Sequence, residues 1–172
     1  MNRTIEPIVW FVGNDGATLH RERDYGDHRL VEKTIIGIGG SDPSVVIGTN
    51  STLMTSSGAA WEPETSYGMV GGYTSVTMIG GGFTFATNGK QIAEPGNARV
   101  DVDGAIAQIF AYKRSLLAIG AGGAVLHRAA EGTYEKLDTT ESVDLTAGCA
   151  TSAGNLWVGG GKRVFRRRDV IR

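Results

Sequence analysis

One cysteine, Cys149, leaves the chain without a second thiol, so no internal disulfide can brace it. Lying at the end of the run Val143–Cys149, it reads as a buried, inert thiol. No apolar run approaches the roughly 18 residues that a membrane-spanning helix needs. No leader is expected either: Met1–Glu6 is polar and the first apolar run starts by Ile8, so synthesis in the cytoplasm, without export by that route, is expected. Basic residues do not outnumber acidic ones (17 against 18, net charge −1), which excludes a sequence-independent nucleic-acid binder. There is no Gly-x-Ser-x-Gly and no His-Glu-x-x-His. The glycine runs Gly80–Gly82 and Gly159–Gly161 open no helix, so neither is a phosphate-binding loop. With three histidines and one cysteine in all, and with His20 and His127 in repeats too far apart around a ring to share a metal, a structural zinc site is not expected. No metal, no cofactor and no catalysis are therefore expected.

Glycine is abundant instead: 26 of 172 residues, about twice the usual share of roughly 7%. It follows no three-residue period and falls between apolar runs, where turns belong. The stretch Val9–Arg21 (VWFVGNDGATLHR) returns as Leu116–Arg128 (LLAIGAGGAVLHR). Weaker copies stand at Val45–Met54, Phe83–Ala93 and Leu156–Arg166. Each has a short apolar run, a turn rich in Gly or Asn, and a second alternating run. That pattern is a β-hairpin, because Gly and Asn tolerate the positive φ of tight turns. Helices are excluded by the period of two and by the recurring glycines.

Aligned on Gly13, Gly48, Thr87, Gly120 and Gly159, the five copies recur about every 37 residues, a spacing that means a repeat architecture. Apolar, Gly-containing runs precede four of them, at Thr34–Gly40, Ser75–Gly81, Ala105–Tyr112 and Val143–Cys149. More polar runs follow four, at Arg29–Lys33, Ala60–Glu64, Ala98–Val102 and Tyr134–Leu137. Four short antiparallel strands per repeat make a propeller blade. The expected fold is all-β: a single domain over residues 1–172, a five-bladed β-propeller of about 37-residue, four-stranded blades. The first repeat lacks an inner strand and the last an outer one. Pairing of the two termini, Arg3–Glu6 beside Val164–Arg168, is expected to close the ring and remove its edges.

In Val45–Trp61 an apolar strand and turn are followed by MTSSGAAW, in which Gly58 and Trp61 stand where an Asp-box, Ser-x-Asp-x-Gly-x-x-Trp, has them. Met54 replaces its Ser and Ser56 its Asp. The chain thereby resembles the short-blade propellers of the sialidase-repeat and photosystem-assembly-factor kind. The resemblance implies the fold and carries no activity. Sialidase chemistry needs a convergent arginine cluster and a tyrosine nucleophile with a carboxylate partner. Arg166, Arg167 and Arg168 are consecutive and alternate between strand faces, and no tyrosine has an acidic partner in a suggestive frame.

Two groups of residues are candidates for binding. Asn14, Asp15, Asn50 and Asn88 occupy equivalent turns and could line a ligand site, although Asn-Asp-Gly is first of all turn chemistry. Tyr67, Met69, Val70 and Tyr73 fall outside the strand rhythm, and an apolar loop marks a partner surface or a cap over the core. Together with Arg166, Arg167 and Arg168 they form the expected partner-binding surface. Trp10, Trp61 and Trp157 read as packing between blades. His20 and His127, each after a leucine, lie on the face opposite that leucine. The expected function is that of a non-enzymatic structural or assembly protein acting through protein–protein contacts. Its partners would be protein subunits of a larger assembly, self-association included, with no nucleic acid and no membrane. A bacteriophage virion component, of the tail or head-tail region, is the natural setting by fold analogy. The alternative is a glycan-binding propeller lectin, which the unequal turns disfavour.

Overall fold

The computed structural model describes residues 10–12, 18–21, 28–29, 35–41, 44–49, 53–56, 61–63, 72–79, 83–96, 99–130, 132–139, 142–151 and 154–168. The chain forms two compact units, Met1–Ile35 and Ile36–Arg172. In the first, β1 (Trp10–Val12), β2 (Thr18–Arg21) and β3 (His28–Arg29) make an antiparallel meander with Phe11 opposite His20 and Leu19 opposite His28. The outer strand of this sheet overlaps the start of the expected Arg29–Lys33, of which residues 30–33 lie outside the described residues.

Four further antiparallel sheets follow, each a meander in chain order. The second comprises β4 (Ile35–Ser41), β5 (Ser44–Thr49), β6 (Leu53–Ser56) and β7 (Trp61–Pro63). The third comprises β8 (Ser75–Ile79), β9 (Phe83–Thr87), β10 (Gln91–Ala93) and β11 (Arg99–Asp101). The fourth comprises β12 (Ile106–Tyr112), β13 (Ser115–Gly120), β14 (Val125–Ala130) and β15 (Thr133–Lys136). Among the described residues the fifth comprises β16 (Ala147–Ala150), β17 (Asn155–Gly160) and β18 (Arg163–Arg168). Every expected hairpin therefore forms. Arg3–Glu6, expected beside Val164–Arg168, lies outside the described residues.

Three apolar clusters lie between successive sheets of the second unit. Strand alternation explains how one sheet serves two of them. In the fourth sheet Ile109, Leu116 and Ala118 belong to the cluster shared with the third sheet, while Phe110, Leu117 and Ile119 belong to the one shared with the fifth. With both faces covered, β13 reads as a continuous apolar run over Leu116–Ile119, and β12 is interrupted by Gln108. Each such fully buried aliphatic or aromatic side chain contributes roughly 1.5–3 kcal/mol.

Polar stitches set the spacing of the sheets. The Ser75 hydroxyl on β8 accepts from the Ile109 amide at 3.1 Å and donates to the Ile109 carbonyl at 3.4 Å, satisfying both backbone groups on the free edge of β12. The Gly148 amide donates to Gln108 Oε1 at 2.6 Å across the next junction. Ser75→Ala would leave the Ile109 groups buried and unpaired, and is expected to lower stability by about 1–2 kcal/mol. A urea melt checks this; an unchanged midpoint would mean that the hydroxyl contributes no net stability.

The structure corrects five sequence-based expectations. Cys149 is exposed, because alternation along β16 turns Gly148 towards Phe110 and Ile119 and leaves Cys149 on the opposite face. Trp157 is likewise open, 38% exposed, with the Arg166 guanidinium 5.1 Å from its ring centre. Tyr73 is not a surface residue: it is 5% exposed and packs with Leu53, Val76 and Ala86. Finally, the counterpart of Gly120 is Gly160 rather than Gly159. A Cβ on Gly120 would overlap the Ala105 carbonyl oxygen, and one on Gly160 the Asp144 carbonyl oxygen. The run entering the fifth sheet is also only partly strand. Leu145, ahead of β16, is buried, and its amide donates to the Gly120 carbonyl at 3.0 Å.

Candidate functional site

At the junction of the third and fourth sheets a carboxylate is fully buried. β10 ends at Ala93, and Pro95 with Gly96 (φ +84) turns the chain, which carries Glu94 into the junction at 0% exposure. Alternation along β14 puts Arg128 on the same face as Leu126, towards the third sheet. Tyr134 stands opposite Arg128 in the β14–β15 register. The result is a closed network. Arg128 Nε and an η-nitrogen donate to the two Glu94 oxygens at 2.9 and 2.8 Å, the Tyr134 hydroxyl donates to Oε1 at 2.7 Å, and the Gly132 amide to Oε2 at 3.2 Å. The guanidinium carbon also lies 5.4 Å from the Phe85 ring centre.

Burial alone would push the Glu94 carboxyl upward. The hydrogen bonds from Arg128, Tyr134 and Gly132, with the Arg128 charge, outweigh it and hold the group below the usual carboxylate range. Burial, and then the bond to Glu94, push the Tyr134 hydroxyl far above its ordinary value. His127, across the strand from this network, is lowered by burial despite the nearby Glu135.

Above this network opens a groove of about 510 Å³, within the roughly 300–1,000 Å³ of ligand clefts. It is lined by Ile79, Phe83 and Phe85 of the third sheet, by Pro95 and Gly96 after β10, and by Arg114 and Arg128 of the fourth sheet. Phe83 is 56% exposed, a large aromatic left to solvent on the first residue of its strand. Arg114 sits in the two-residue turn closed by the Tyr112–Ser115 pair. Lys113 takes a left-handed φ of +54° there, a costly conformation for a residue with a side chain. The Ser115 hydroxyl donates to the Arg128 carbonyl at 2.7 Å, tying the turn to the strand that bears the network. Among the described residues Arg114 is exposed and makes no hydrogen bond or ion pair. A second cleft, about 470 Å³, opens beside β11, β14 and β15 and is lined by Asp101, Asp103, Thr133, Tyr134 and Lys136 among others.

Few of the residues singled out from the sequence meet here. Asn14, Asp15, Asn50, Tyr67, Met69 and Val70 lie outside the described residues. Asn88 is a turn residue: its side-chain oxygen accepts from the Lys90 and Gln91 amides at 3.0 and 2.8 Å. In β18, Arg166, Arg167 and Arg168 stand opposite Trp157, Leu156 and Asn155, and Arg166 donates to Asn155 Oδ1 at 3.2 Å. Phe83 and Arg114 were not anticipated, and the Glu94–Arg128–Tyr134 network corrects the expectation that no tyrosine has an acidic partner: Glu94 and Tyr134 lie 40 positions apart, so no local frame shows the pair. A phenylalanine following three glycines was the one available hint, because it opens a strand with no apolar residue before it.

No protein-family model and no curated protein matches the sequence. Solved structures do match in shape. YCF48 bound to D1 peptide aligns with a TM-score of 0.61 and 17% identity over 93% of this chain and 61% of that one. The extracellular domain of the one-component system BT4673 from B. thetaiotaomicron aligns with 0.70 and 8% over 96% of this chain and 25% of that one. A chain of the nidogen/laminin complex aligns with 0.65 and 11% over 91% and 68%. The chain thus spans less than two thirds of the first two. These neighbours are propellers, and the all-β fold of this protein is of the propeller type.

Proposed function

We propose that the protein is a non-catalytic propeller that docks a partner protein in the groove between its third and fourth sheets. The observation that carries this reading is an exposed Phe83 and an unpaired Arg114 lining one groove together with the Glu94-bound Arg128. Aromatic and arginine side chains are the residue types that anchor protein interfaces. The strongly perturbed acid and phenol, Glu94 and Tyr134, are committed to one another, which favours a structural role for them over acid–base chemistry. Two of the structural neighbours are complexes by their own description, one with a D1 peptide and one between nidogen and laminin. A place as a subunit of a larger assembly, such as a phage virion, goes with this reading by fold analogy alone.

The second cleft favours the alternative of glycan binding, since Asp101, Asp103 and Lys136 offer sugar hydroxyls both acceptors and donors. The two are separated by applying the labelled full chain to a tiled peptide array and to a glycan array. Peptide binding that Phe83→Ser abolishes is the expected result. Glycan binding that survives Phe83→Ser and is lost in Asp101→Ala would establish the lectin reading instead.

A further inference from the structure

The lining of the groove also specifies what kind of segment it would hold; the inference rests on the groove being the docking site. Ile79, Phe83, Phe85 and Pro95 give it an apolar wall. Of its two guanidinium groups, Arg128 is neutralised by the buried Glu94 at 2.8 Å and is held in place by it. The remaining positive charge is that of Arg114, and no acidic residue lines the groove among the described residues. We propose that the groove accepts an internal segment of a partner protein in which an acidic side chain adjoins an apolar one, the carboxylate on Arg114 and the apolar group on Phe83.

The physical argument is one of complementarity. A guanidinium presents a planar fork that matches a carboxylate with two parallel hydrogen bonds. Beside an apolar wall that excludes water, such a pair is stronger than at an open surface. A strand of nucleic acid would need several cations in a row, and the groove offers one uncompensated charge. A neutral sugar would leave that charge without a partner. The turn that carries Arg114 is fixed to β14 by the Ser115–Arg128 bond, so the arginine side chain and not its backbone is what binding has to order.

Acetylated, amidated octapeptides provide the test, because amidation removes the terminal carboxylate. Three sets alternate Leu or Phe with Glu, with Gln or with Lys, and binding to the full chain is read by fluorescence anisotropy. The Glu set is expected to bind at least about tenfold more tightly than the Gln set, and the Lys set weakest. Arg114→Gln should erase the difference between Glu and Gln, whereas Phe83→Ser should weaken all sets. Both side chains are exposed, so both variants should melt with the wild type, and that is measured first. Equal binding of the Glu and Gln sets, lost in Phe83→Ser, would overturn the acidic partner and keep the docking groove. Binding indifferent to both substitutions, or none at all, would overturn the groove as well. Two further probes, 3′-sialyllactose and adenosine monophosphate, are competed against the peptides. Tighter binding of either one, lost in Arg114→Gln, would assign the charge to an anionic small molecule instead.

Discussion

Gly120→Ala should unfold the second unit at far lower denaturant than the wild type, with a loss of at least about 3 kcal/mol. The backbone at Gly120 is extended, with φ −173°, so conformation is not the obstacle. Space is. A Cβ there would overlap the carbonyl oxygen of Ala105, whose carbon would lie 2.9 Å away and the Ile106 Cα 3.0 Å away. These are main-chain atoms at the entry to β12, and they cannot rotate aside as a side chain could. The same segment is held by two hydrogen bonds, Ala121 amide to Ala105 carbonyl at 2.9 Å and Ile106 amide to Gly89 carbonyl at 2.7 Å. Moving it to admit a methyl group would break the junction between the third and fourth sheets. Gly160→Ala should behave alike, with Asp144 and Leu145 in the place of Ala105 and Ile106. Gly122→Ala is the control. Its φ of +64° is unfavourable for alanine, yet nothing lies within 4 Å, so about 1 kcal/mol is expected. Urea melts of the three variants decide it. Equal losses at 120 and 122 would show that the close approach is not what requires glycine.

Removing the Glu94 carboxylate should cost nearly as much. Glu94→Ala takes from the Arg128 guanidinium, 23% exposed, the carboxylate that it bonds through two nitrogens between two sheets, and about 3 kcal/mol is expected. Tyr134→Phe, which deletes one of the four donors, should cost about 1.5 kcal/mol. The pH dependence gives a separate signature. The folded-state carboxyl titrates below its unfolded value of about 4.3. Its contribution is therefore complete above that value and is lost as pH falls through the lower, folded-state one. Wild type and Glu94→Gln should differ most at pH 6 and converge towards pH 3. A gap that stays constant over that range would mean that the network stabilises by shape and not by charge. Arg128 also lies in the wall of the groove, so Glu94→Ala should weaken peptide binding beyond its effect on the melt.

Local chemistry made the strands legible. The copies from Val9–Arg21 to Leu156–Arg166 place every hairpin, because alternation and Gly- or Asn-rich turns act within a few residues of one another. The run Val143–Cys149 was read less well. Leu145 is buried there without being in a strand, since the chain is crossing between sheets. Faces were harder still. Tyr73 stands outside the strand rhythm and yet is core, because only the packing of the second sheet on the third covers it. Cys149 follows apolar neighbours and yet is open, because its face of the fifth sheet points away from the fourth.

The order of strands, the meander within each sheet and the all-β character were determined by the sequence alone, since each depends on contacts between neighbours in the chain. Only the tertiary structure decided which glycines are obligatory and which charges are paired. Gly120 meets Ala105, and Glu94 meets Arg128 and Tyr134, across junctions between strands or sheets, 15 to 40 residues apart in the chain. The groove that places Phe83 beside Arg114 has the same origin. It exists because two sheets pack face to face and leave their turns side by side, and no pattern within one repeat records which turns will meet.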